Sequence, residues 1–123
     1  MIVLPWQNKT LSPNARAHWR TLASAKKKAK TAAYYLTRQA IGVAAYAAPV
    51  QVLVTFCPPD RRPRDLDNMI ASFKAAQDGI AQAIGVDDSE WRVSYQRGPV
   101  KRGGEIIVQL GGVVDVPFRG VIS

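Results

Sequence analysis

Residues 58–68 read PPDRRPRDLDN, and two of its aspartates, Asp65 and Asp67, are separated by a single leucine. In an extended segment, residues two apart point to the same side. Both carboxylates would then face one way while Leu66 turns toward a core. Two ionised carboxylates held together are costly unless one is protonated or a cation lies between them. Mg²⁺ suits such a pair, because it takes oxygen ligands, keeps several waters and needs only one or two protein carboxylates beside a phosphate. A third oxygen donor would be Asp87 or Asp88, in the segment GVDDSE. The same residues also have an ordinary structural use. Asp67 can cap a helix, and DDS can simply make a turn. Residue type and spacing leave both readings open.

The elements that would position these carboxylates are legible in outline. A helix is predicted from about Asn68 to Ile84, with Leu66, Ile70, Phe73, Ile80 and Ile84 along one side and Gly85 at its end. It spans ~25 Å, so Asp87 and Asp88 start at the far end from Asp65. They approach it only if the chain turns back along the helix or a second subunit supplies them. An earlier helix is predicted from Ala15 to about Ala40, with Asn14 as its cap. On an ideal wheel Leu22, Ala25, Ala29, Ala32, Ala33, Leu36 and Ala40 share an arc of ~100°. Arg16, Arg20, Lys26, Lys27, Lys30 and Arg38 occupy a separate arc of ~120°. No acidic residue lies in this helix to offset those charges, so an external anion is the simplest partner.

Strands are predicted at residues 1–6, at Pro49–Cys57 (β-branched, nearly all apolar, hence central), at Arg92–Val100 and at Glu105–Leu110. KRGG, residues 101–104, reads as a hairpin turn between the last two. The order β-α-β-α-β-β describes one small α+β domain, residues 1–110, with a mixed sheet packed with two helices. Residues 111–123 form a C-terminal tail without a clear pattern.

At 123 residues the chain suits one domain with a real core. Its net charge of +8 is unevenly placed: residues 1–59 contain no Asp or Glu, whereas seven of the nine acids fall between Asp60 and Glu90. A basic surface implies nucleic acid, and an acidic cluster within it implies a cation between the two. A single cysteine, Cys57, excludes an internal disulfide and a Cys-rich zinc site. No run reaches transmembrane length, and MIVLPWQNKT lacks the order of a signal peptide. The expectation is a soluble cytoplasmic protein without a membrane partner. His18, the sole histidine, is isolated and a poor candidate for a general base. No Gly-rich phosphate loop suggests an NTPase.

Taken together, PDRRPRDLDN, an amphipathic helix and then VDDS resemble the RusA family of Holliday-junction resolvases, small phage and prophage crossover junction endodeoxyribonucleases. The resemblance is strongest over Pro59–Ser89 and looser at the opening LPW strand and the KRGGEIIVQL segment. It implies a RusA-like fold, a homodimer, Mg²⁺ as cofactor and four-way junction DNA as substrate. It also implies that Asp65, Asp67 and Asp88 are the catalytic, metal-holding aspartates. The family's functional lysine, six residues after the first aspartate, falls here on Ala71. Lys74 lies one turn farther on and within ~20° of Asp67 around the helix. Two uses are open to it: steadying the scissile phosphate, or an i,i+4 ion pair with Asp78.

On this reading Arg61, Arg62 and Arg64 position the DNA backbone beside the metal, and the stripe Arg16, Arg20, Lys26, Lys27 and Lys30 holds a junction arm. Paired cuts in a near-two-fold junction call for two related sites and hence a C₂ dimer. Two rivals remain. One is a non-catalytic protein that binds branched DNA, with Ala71 marking lost chemistry. The other is a metal-dependent nuclease acting on flaps, nicks or RNA.

Overall fold

The structure is a computed structural model and describes residues 1–114 of the chain. Four strands and two long helices follow one another as β1 (Ile2–Pro5), α1 (Trp19–Ile41), β2 (Ala45–Cys57), α2 (Leu66–Ile84), β3 (Trp91–Arg97) and β4 (Glu105–Val114). Short 3₁₀ turns at Lys9–Leu11 and Asp88–Glu90 complete it. The predicted α+β class and the β-α-β-α-β-β order both hold.

The sheet order is β1-β4-β2-β3, with β3 parallel to β2 and β4 antiparallel to both β2 and β1. The predicted hairpin between the last two strands is therefore wrong. KRGG does turn, with Gly103 and Gly104 at positive φ and Gly104 N–H donating to Lys101 O. Yet the segment before it crosses the end of β2, where Gly98 N–H donates to Phe56 O and Lys101 N–H to Pro58 O. The chain thus passes from one edge of β2 to the other. Local turn chemistry marks such a bend but not which strand lies beside it.

β2 is the central strand, as its apolar composition predicts. Val50, Val52, Val54 and Phe56 point to one face and are buried with Ile2, Leu4, Ile106 and Val108. This face packs against Met69, Phe73, Ile80 and Ile84 of α2 and Ala33 of α1. Phe56 and Phe73 meet edge to face at 5.8 Å. β2 begins four residues before the predicted Pro49, with a shift of register between Tyr46 and Gln51. A bulge accommodates a proline, which has no N–H for the ladder. β4 runs on through Gly111–Val114, the first residues of the predicted tail, and Val113 and Val114 pair with Tyr46 and Ala45. The rest of that tail lies outside the described residues.

α1 starts at Trp19, four residues later than predicted. His18 is its cap, Nδ1 accepting from Arg20 N–H at 3.1 Å, in place of Asn14. Arg16 therefore precedes the helix. The two helices approach closely at Gly79, where an added Cβ would stand 2.2 Å from the Lys30 carbonyl oxygen. Only glycine fits that crossing. No helix among the described residues is long and apolar enough to cross a membrane.

Candidate active site

The DLDN segment forms the start of α2, but its cap is Asp65, not Asp67. Asp65 is extended, and its Oδ1 accepts from Asp67 N–H at 2.9 Å. Leu66, partly buried against the core, is already the first helical residue. A helix starting two residues early moves the cap two residues early as well. Asp67 then lies in the first turn, where a carboxylate interacts favourably with the positive end of the helix. Both carboxylates are exposed.

The arginines before them are organised by an acid that the sequence reading left without a role. Asp60 accepts from Arg62 through its backbone N–H at 3.0 Å and its guanidinium at 3.1 Å, and from Arg64 Nη1 at 3.0 Å. Arg62 and then Arg64 hold its carboxyl far below the usual carboxylate range. Arg64 also donates to the carbonyls of Asp60 and Arg62 and lies over the Trp6 ring, 5.6 Å from its centroid. It is mostly covered and braces the loop. Arg97, at the end of β3, donates to Arg64 O at 2.6 Å. Arg61 is exposed and makes no ion pair among the described residues.

The question of how Asp88 could approach α2 has a direct answer: the chain turns back. Gly85 ends the helix in the left-handed conformation at φ +73°. Val86 is then buried, and Trp91 Nε1 donates to Val86 O at 3.0 Å. This brings Asp88 onto the middle of α2, where it accepts from Lys74 and, at 3.0 Å, from Gln77 Nε2. Tyr95 O–H donates to Gln77 Oε1 at 2.6 Å, so Gln77 is held at both ends of its amide. Lys74 also pairs with Asp78 at 3.1 Å. Lys74, then Gln77, holds the Asp88 carboxyl below its ordinary range. Asp88 in turn raises the Lys74 ammonium, against the effect of burial. Burial raises the Tyr95 phenol. Asp87 has a different role, accepting from the Ser89 N–H and hydroxyl as the cap of the short turn.

Thus Lys74 and Asp88 meet, whereas Asp65 and Asp67 remain apart from them. Lys74 lies two turns beyond Asp67, ~10 Å along the axis. Among the described residues no three His, Cys, Asp or Glu side chains are placed to share a metal ion. Asp65 and Asp67 offer the oxygen donors Mg²⁺ takes, and with waters and a phosphate a pair can suffice. Asp88 is not in reach of them in this arrangement. Gln77 and Tyr95 escaped the sequence reading because a buried amide and a half-buried phenol have no characteristic spacing.

Arg20, Lys26, Lys27, Lys30 and Arg38 are all exposed on α1, as is Arg16 before it. Arg20 lies over the exposed Trp19 ring at 5.1 Å. No protein-family model matches the chain. It is similar to a protein of Xylella fastidiosa (strain Temecula1 / ATCC 700964) described as an uncharacterized protein, with 37% identity over 125 residues, covering 97% of this chain and 80% of that one.

Proposed function

The chain belongs to the family of that Xylella fastidiosa protein, and from its own residues we propose a Mg²⁺-dependent endodeoxyribonuclease of the RusA kind. In this reading it resolves Holliday junctions by paired phosphodiester hydrolysis, as a homodimer in the cytoplasm. The observation that supports it best is the return of Asp88 to the face of α2 that carries Asp67 and Lys74. A plain capping role for DLDN gives no reason for a distant acid to be drawn to the same helix.

Asp65 and Asp67 would hold the ion, whose chemistry is to acidify a coordinated water and offset charge on the phosphate. Asp88 is assigned as the third acid. To act so it must part from Lys74, which then keeps only its Asp78 pair and can turn toward the scissile phosphate. Arg61 and the outer edge of Arg62 would guide the DNA backbone, with Arg64 bracing the loop behind them. The α1 stripe would take a duplex arm by contacts that add affinity without sequence preference.

A second reading also has support. Ala71 stands at the position of the lysine that the RusA resemblance implies, and Lys74 is engaged by two carboxylates. A protein that binds branched DNA without cutting it fits both facts. Incubation with a four-way junction and with a linear duplex of the same sequence, with Mg²⁺ or EDTA, separates the two. Mg²⁺-dependent paired nicks confined to the junction, absent in Asp67→Asn, are the expected result. Tight junction binding with no product under Mg²⁺ or Mn²⁺ would favour the second reading. Equal cutting of flaps or RNA would change the substrate instead.

A further inference from the structure

Beside Asp65 lies a polar cleft of about 480 Å³ between the start of α2 and the loop after β1. Its lining includes Lys9, Arg62, Arg64, Asn8, Asn68 and Asp65 itself. A smaller hollow of about 240 Å³ adjoins it, lined by Leu11, Ala29, Ala32 and Ala76. Trp6, Gln7 and Asn8 border both. Gln7 Nε2 donates to Met69 O at 3.1 Å, and its buried Oε1 has no partner among the described residues. Lys9 has no ion-pair partner there either.

We propose that hollow and cleft together hold one unpaired nucleotide of a DNA strand. The base enters the hollow against Trp6, and its phosphate stays in the cleft at Lys9 and Arg62, beside Asp65. The inference rests on the nucleic-acid part of the reading above and names which piece of the substrate the site takes.

The shape and chemistry of the two spaces match that ligand. An apolar space that shares the border of Trp6, Gln7 and Asn8 with a cationic one suits a flat ring joined to an anion. Aromatic side chains stack on any base, because every base has a π-face. Asn8 borders both spaces, and its amide NH₂, unlike the Oδ1 that accepts from Thr10 N–H, is left among the described residues to meet an acceptor on a base edge. The lone acid in the lining, Asp65, would repel a phosphate unless an ion lay between them, and it is one of the two residues assigned to hold that ion. A base already paired and stacked in a duplex cannot enter the hollow. Selection for branch points, where bases are unpaired, would follow without any reading of sequence.

The test uses the unaltered full chain in EDTA, so that cutting plays no part. Its affinity for a short oligothymidylate is compared by fluorescence anisotropy with that for an abasic strand of the same length and phosphate count. The intact strand is expected to bind about 5- to 150-fold more tightly, the range of one stacked base. Equal affinities would overturn the proposal. Ala29→Leu and Ala32→Leu, each filling the hollow from α1, should bring the intact strand down to the abasic value and leave abasic binding unchanged. A base preference kept by both folded variants would also overturn it. Base preference without Mg²⁺-dependent cutting leaves this site standing and removes the nuclease reading; cutting without base preference does the reverse.

Discussion

The Lys74 ammonium group lies against the Asp88 carboxylate, although fourteen residues, a helix end and a turn separate them in the chain. The contact joins the middle of α2 to the turn before β3. It also occupies both groups that the proposed chemistry needs free. Lys74→Ala should therefore slow junction cutting about 10²–10³-fold, the usual effect of losing one group that stabilises transition-state charge. Stability should fall by no more than ~1 kcal/mol, because the lysine is largely exposed. Single-turnover cleavage and urea denaturation measure the two effects separately.

The same pair sets a pH dependence whose sign can be worked out. Asp88 titrates lower in the folded protein than its ordinary value. Its stabilising contribution is thus present above ~3.9, the unfolded value, and is lost as pH falls through the lower folded one. Lys74 is raised, so its contribution is present below ~10.4 and is lost as pH rises through the higher folded value. Asp88→Asn should lower Tm at pH 6 and matter progressively less as pH falls below ~3.9. Thermal melts of both proteins across that range check this.

Gln77 and Tyr95 hold Asp88 in place without being placed to touch a substrate. Tyr95→Phe removes the donor to Gln77 Oε1 and should cost about 0.5–1.5 kcal/mol of stability. Gln77→Leu removes the amide that donates to Asp88. Because Asp88 must leave this position to act, both variants should change the cutting rate while junction affinity in EDTA stays unchanged. A purely structural role would not split the two readouts.

Gly79→Ala tests the helix crossing. Alanine ordinarily favours a helix interior over glycine by about 1 kcal/mol. Here its methyl would stand 2.2 Å from the Lys30 carbonyl, and backbone cannot yield as a flexible side-chain tip can. Overpacking of this kind costs ~1–3 kcal/mol, so chemical denaturation should show a net loss.

The α1 stripe makes a quantitative prediction about salt. If Lys26 and Lys30 each neutralise one phosphate, the double change to Gln should reduce the slope of log K against log[salt] by about 0.9 per contact. The reduction should be the same for junctions of different sequence. A salt titration of binding measures it.

Much of this architecture was legible in the sequence, and the misses have two causes. The apolar run of β2, the face of α2 and the terminating Gly85 are local signals, and each was correctly located. The Asp65 cap was misread by two residues because extended backbone and a first helical turn are both open to D-x-D-N. Pairing of β4 with β2 and β1 depends on contacts between distant residues, which no turn motif encodes. At the candidate site the aspartates and the lysine stood out by type. The Gln77–Tyr95 support and the role of Asp60 did not, because they depend on which side chains the fold brings together.

The position of β4 has a bearing on how the chain acquires its structure during synthesis. β1 pairs with β4 alone, so Ile2 waits for Val108. β2, α2 and β3 are contiguous in sequence, and their parallel pairing can form as soon as β3 has been made. Asp65, Lys74 and Asp88 all lie within that unit or at its joints. Trp6 and Lys9 follow β1, whose sole strand partner among the described residues is β4, the last described strand. The acids of the site thus belong to a unit contiguous in sequence, whereas the wall against which a nucleotide would rest depends on pairing between the two ends of the described chain.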